Sequence, residues 1–372
     1  MLVSASFWRT AIGVYLLAVV GCYRPVNAES TPQVVTMVQF IEPETLEPSQ
    51  VIPEPLLFDT ATDFAEGTAA VRLGDRLGYI DHTGNLVIAV ADVAVDVTGE
   101  FSEQLALARA GDYYGYLDST GNWAIAVQFS QAKAFSEGLA AVQGGSTYGF
   151  VDTRGQWVIE PQFALAESFS EGLAVVKQDG LYGYLNPDGD FAIPVQFRDA
   201  WQFSESRAVV KVDNQYGYLA PDGAIAIPLT FDGAFNFAEG LARVRQGDKW
   251  GFINPAGDWV IPAQFDYASD FSENRAVVLQ KGDWQYVDST GEVVITGPFK
   301  YAADFSEGLA AIQIDNQYGY INASGEIVIH PAFQNAGAFS EGLARIQVEN
   351  RWGFINAQGQ FLTGVGEWGN GG

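Results

Sequence analysis

From Phe64 onward, apolar and polar positions come in short blocks that return along the chain at a fixed distance. The block Phe169-Ser-Glu-Gly-Leu-Ala-Val-Val-Lys-Gln-Asp-Gly-Leu-Tyr-Gly-Tyr-Leu-Asn-Pro-Asp-Gly-Asp-Phe-Ala-Ile recurs 34 residues away in both directions. Its leading Phe stands at 64, 101, 135, 169, 203, 237, 271, 305 and 339, so the first step is 37 residues and every later one 34. A constant period in the range of about 20–50 marks a repeat architecture, in which each unit buries its apolar face against its neighbours.

Within one unit, Leu173-Ala-Val-Val-Lys is short, apolar and β-branched, and reads as a strand. Asp179-Gly180 is a two-residue hairpin turn, since type I′ geometry needs positive φ at both centres. Leu181-Tyr-Gly-Tyr-Leu-Asn is the second strand, Pro187-Asp188-Gly189 the second turn, and Phe191-Ala-Ile a third strand ended by Pro194. A connector, Phe197-Arg-Asp-Ala200-Trp-Gln-Phe203, then reads as a tight turn or single helical turn. The pattern predicts an all-β tandem array of nine three-stranded meanders. An open or superhelical array is favoured over a closed propeller, whose blades are usually four-stranded and number about four to eight.

The glycine of the second strand recurs in eight of the nine units, in seven of them flanked by aromatic residues on both sides, and implies close approach of another backbone or ring. Unit seven has Gln285 there and should be locally looser. Trp250-Gly-Phe-Ile-Asn, Trp352-Gly-Phe-Ile-Asn and Tyr318-Gly-Tyr-Ile-Asn, each preceded by a motif of the Phe-Ser-Glu-Gly-Leu-Ala type, resemble the WG (KWG) bacterial repeat family. The resemblance spans most of the chain. It implies a non-catalytic β-repeat scaffold, often exported and assumed to mediate binding, with no defined ligand or transferable binding residues. Unit one departs most, with Leu77-Gly-Tyr and a longer connector over 90–99, and reads as a terminal cap.

Ahead of the repeats, residues 1–21 read as an export signal: Arg9 precedes an apolar core, Ala11 to Val20, too short to span a membrane. Val19-Val20-Gly21-Cys22 resembles a bacterial lipobox, which makes Cys22 the candidate lipid attachment site. Cleavage after Val26-Asn27-Ala28 and plain secretion, or an uncleaved anchor, are the alternatives. The expected location is the cell envelope, anchored at a membrane through that lipid. Residues 22–56 are rich in Pro and Glu and read as a solvated tether, with strand character at 34–41. The repeats occupy 57–362, and 363–372 form a Gly-rich tail.

The formal charge is −26. Such a surface repels phosphate backbones, so nucleic acid is not an expected partner. Cys22 is the single cysteine, so no internal disulfide can form. No zinc-type Cys/His cluster, phosphate-binding Walker loop or nucleophile elbow is present, and neither an enzyme nor a cofactor or metal is expected. His82 and His330 occupy slots filled by other residue types elsewhere and read as solvated.

Two repeated sets are candidate binding surfaces. One is a ladder of glutamates at one position of every unit, including Glu137, Glu171, Glu239, Glu307 and Glu341. It reads either as an acidic line for cationic ligands or as a set of local turn caps. The other is an aromatic stripe that includes Tyr182, Tyr216, Trp250 and Trp352, which reads as a stacking surface or as core between units. Asn186-Pro-Asp-Gly-Asp190 imitates part of a calcium loop but lacks its closing glutamate, and reads as a hairpin turn. The expected function is recognition of a protein or peptide, with cell-wall glycan binding or a ligandless spacer as alternatives.

Overall fold

The structure is a computed structural model that describes residues 54–90 and 95–364. The export signal, Cys22, nearly all of the tether and the end of the tail lie outside the described residues. The described residues are all β, in nine small antiparallel sheets that follow one another in chain order.

Sheet four shows the plan. Leu165–Ser170, Leu173–Gln178, Leu181–Leu185 and Phe191–Phe197 pair in sequence order. Two features depart from the expected three-stranded meander. The connector is itself a strand, carrying a bulge between Ala166 and Phe169. The fourth strand also runs straight through its proline, because it lies at the sheet edge, where a missing N–H breaks no ladder bond. Seven sheets are four-stranded. In sheet three, Ala132 bridges Val142 in place of a full first strand.

First strands of consecutive sheets touch one another. Each sheet therefore stands as a blade, with its first strand innermost and its fourth outermost. The second strand has blades on both sides: Ala174, Val175 and Val176 are all fully buried. That sandwiching explains a continuous apolar run where a half-buried strand would alternate. The cores lie between blades. One joins Leu173, Val175, Tyr184 and Ile193 of blade four to Phe203, Ala208 and Val210 of blade five.

The array closes on itself, and this corrects the expected open arrangement. Phe58 and Trp352 exchange backbone hydrogen bonds of 2.7 Å each, and the Leu56 N–H donates to Leu362 O at 3.1 Å. Phe58 thus fills, in blade nine, the slot that Phe197 fills in blade four, while Phe361 bridges Ile355 at the start of the same outer strand. Chain start and chain end together build one strand. Unit one is consequently no terminal cap. Ala61, Phe64, Val71 and Ile80 share a core with Leu343 and Phe354 of blade nine. Ion pairs cross three blade junctions a third of the ring apart: Lys133 with Glu167, Arg243 with Asp270, and Arg345 with Asp63.

The glycine between the two aromatic residues has the expected reason. A Cβ on Gly183 would lie 2.7 Å from Ile193 O and 2.8 Å from Val195 N, where the outer strand bulges across it. Blade seven differs in a definite way. Gln285 pairs in regular register with Thr296, and the outer strand stops there.

Candidate functional site

An antiparallel blade sends its first and third turns to one face of the ring and its middle hairpin to the other. The glutamate ladder and the aromatic stripe therefore lie on opposite faces, and no single site combines them.

On the first face, the glutamates hold the ring's own backbone. Glu137 accepts from Gly172 N at 2.9 Å, Glu171 from Ser206 N at 2.9 Å, and Glu307 from Gly342 N at 2.8 Å. Glu239 receives two bonds, from Glu273 N and Asn274 N. Glu341 closes the circle on Gly67 N at 3.0 Å. Glu66, Glu103, Glu205 and Glu273 complete the set, so all nine reach the turn of the following blade. The bonds are not local caps, as one reading had them. Seven serines that precede these glutamates also cross the junction; Ser340, for example, donates to Phe64 O at 2.8 Å. His82 is exposed, as expected, and sits at the closing junction. It stacks on Phe64 at 4.5 Å and lies 3.4 Å from Glu341. The turn Asn186–Asp190 is internally satisfied, with Asn186 Oδ1 accepting from Asp190 N.

The second ring of the aromatic motif is core. Tyr79, Tyr116, Tyr184, Tyr218, Tyr286 and Tyr320 are fully buried. Each hydroxyl donates to an inner-strand carbonyl of the next blade, as Tyr184 does to Trp201 O at 2.8 Å. Burial pushes all six phenols up from their ordinary value.

The first ring is half-buried and reaches the opposite face. Tyr182, Tyr216, Trp250 and Trp352 lie there, each with a cation over it: Lys177, Lys211, Arg245 and Arg345 respectively. Beside them stand rings that the repeat pattern did not single out. Trp201 is 40% exposed and 5.8 Å from Tyr216, and Phe235 is 5.6 Å from Trp250. Tyr267 and Tyr301 flank Trp284. All four occupy inner-strand positions where other units carry Gln131, Lys133 or Leu165. That change of residue type from unit to unit was the available signal.

These rings border two cavities that share Trp201. The larger, about 460 Å³, also includes Phe235, Arg245, Trp250 and the carboxylates of Asp232, Asp248 and Asp266. The second, about 380 Å³, includes Tyr182, Asp199, Gln202 and Asn236. Asn236 Oδ1 is buried and makes no hydrogen bond among the described residues. Just past the inner strands of blades seven and eight, burial raises the Asp270 carboxyl despite the Arg243 guanidinium 2.8 Å away, and also raises that of Asp304. No group of three or more His, Cys, Asp or Glu side chains suited to a metal occurs among the described residues.

Among solved structures, the chain is similar to one described as the eukaryotic initiation factor, with a TM-score of 0.59 at 10% identity over 80% of this chain and 95% of that one. A weaker likeness is to the WD40 domain of SCAP from fission yeast, at TM-score 0.40 and 9% identity over 82% of this chain and 97% of that one. No curated protein matches. The family model described as WG containing repeat matches residues 54–76, 114–145, 148–182, 182–216, 216–250, 250–284, 286–318 and 318–352. With most of the ring so matched, the chain belongs to the WG containing repeat family.

Proposed function

We propose that this protein is a non-enzymatic scaffold that recognises a protein or peptide on the aromatic face of its ring. The pair of adjoining cavities around Trp201 carries the reading. Trp201 and Phe235 are exposed there, and Asn236 Oδ1 lacks a donor, whereas the glutamates of the opposite face already serve their own backbone. Carboxylates outnumber cations around both cavities, so a donor-rich, cationic segment complements them. The sequence around Cys22 adds a proposed setting: export, with a lipid anchor at a membrane of the cell envelope.

The test is affinity capture from solubilised envelope extract at low and high salt, with wild type compared with Trp201→Ala and with Glu171→Gln. A discrete partner that is lost at high salt and lost with Trp201→Ala, but kept with Glu171→Gln, supports the reading. Equal capture by wild type and Trp201→Ala contradicts it. A glycan is the second reading, favoured by the indole of Trp201 standing between two polar cavities. Salt-insensitive retention on cell-wall polymer, abolished by Trp201→Ala, would select it.

A further inference from the structure

Blade seven departs from the arrangement of the three blades before it. In blades four, five and six, the residue paired with the first ring across the ladder is Lys177, Lys211 or Arg245. Each stands over its ring, at 4.7, 5.1 and 5.8 Å. Blade seven pairs Leu279 with Trp284, so its own ladder supplies no cation to that ring. More rings surround it instead. Tyr267 lies 5.5 Å from Trp284 at 65°, and Tyr301 lies 5.9 Å away at 60°. Both tyrosines are exposed, at 41% and 42%. The three rings and Asp304 border a cavity of about 50 Å³, completed by small and apolar side chains. That is room for about three or four waters, the size of an ammonium with its attached carbons and less than a sugar ring needs.

We propose that this cage takes the alkylammonium head of a lysine side chain, methylated or not, carried by the peptide partner; the inference rests on the scaffold reading above. Aromatic faces attract a cation through their quadrupole, and they do so most strongly when it is partly desolvated. Asp304 supplies the countercharge. The neighbouring cations are paired elsewhere, Arg243 with Asp270 and Lys249 with Asp266, and the Arg243 charge favours an ionised Asp304 from a distance. A neutral ligand of the same shape would cover that carboxylate with nothing to balance it. The three intramolecular stacks in blades four to six show that this face already seats the chain's own cations in this geometry.

The test is a titration of the full chain with Nα-acetyl-lysine methylamide, its Nε-trimethyl derivative and the neutral Nα-acetyl-norleucine methylamide, read by tryptophan fluorescence and ligand-observed NMR. Both cationic compounds should saturate, and the norleucine compound should bind at least about tenfold more weakly. Trp284→Leu and Tyr301→Leu should each weaken the cationic compounds severalfold. Tyr301 is exposed, so its variant should melt with the wild type and keeps the test valid if Trp284→Leu unfolds. Equal binding of the norleucine compound, or undiminished binding by Tyr301→Leu, overturns the cage. Tighter binding of phosphatidylcholine vesicles than of either lysine compound overturns the peptide as its source. If the lysine compounds bind as expected but Trp201→Ala retains the captured partner, the scaffold reading fails and the cage stands. If Trp201→Ala loses the partner but lysine and norleucine bind alike, the cage fails alone.

Discussion

All nine turn glutamates hold φ between 50° and 56°, the left-handed region, where a residue with a Cβ costs about 1–2 kcal/mol. The conformation persists because each carboxylate then meets the backbone of the next blade, and a hydrogen bond to a charged group contributes about 1.5–3 kcal/mol. Glu171→Ala loses the bond and keeps the strain, and should destabilise by about 1–3 kcal/mol. Glu171→Gly loses both and should cost less, a ranking that urea midpoints at constant m-value would check. The recurrence of Glu in every unit was legible as a requirement of the unit. Its partner was not, because a turn's own N–H groups and those of the next turn have the same sequence. The Asp304 carboxylate gives a pH signature at the same scale. Burial raises Asp304, so the folded chain keeps that proton to higher pH than the unfolded chain does. Its contribution is present below the unfolded aspartate value and is lost as pH rises through the raised one. Asp304→Asn should therefore melt higher than wild type at neutral pH, with the difference closing as pH falls toward 4. A constant difference across that range would contradict the assignment.

The blade is where sequence reasoning came closest and where it slipped. Strands two and three, both hairpin turns and the need for Gly183 could be read from β-branched runs and turn residues. Asp179 and Gly180 do have φ of 51° and 85°, as a type I′ turn requires. The inner strand was hidden because its positions vary from unit to unit and a bulge breaks its alternation. The outer strand was cut short at Pro194, a residue that argues against a central strand but not against an edge. Gly183→Ala should force the outer strand away from a contact of 2.7 Å, and a cost of about 1–3 kcal/mol is expected from such overpacking. Gln285→Ala, at the same place in blade seven where the bulge is absent, should cost less. The six buried tyrosines tie six of the inner strands to the blade before them. Their phenols are raised from 10.0, so their contribution is intact below about pH 10 and is lost as pH climbs through the folded values. Tyrosinate absorbance should therefore appear together with unfolding, not before it.

Closure of the ring depends on chain segments at opposite ends of the repeats, which no single unit specifies. Every unit shows the same apolar faces, so its sequence is equally consistent with a row and with a circle. What decides between them is Leu56–Phe58, read as the last residue of the tether and the first two of the repeats, which instead completes the outer strand of blade nine. Phe58 is fully buried at that seam, and Phe58→Ala should cost about 3–5 kcal/mol and open the ring locally. The seam also carries the Arg345–Asp63 pair and the last glutamate bond, so ring closure links the candidate binding face to the face that binds itself. The most direct measurement is electron–electron distance between spin labels in a Cys22→Ser background, placed at Asn350 and Asp75 across the seam and, as reference, at Asn350 and Asn316 in adjacent blades. A closed ring of nine gives the two pairs similar distances. A seam distance far longer than the reference would mean that the units stand in an open row, and the account of both faces would fall with it.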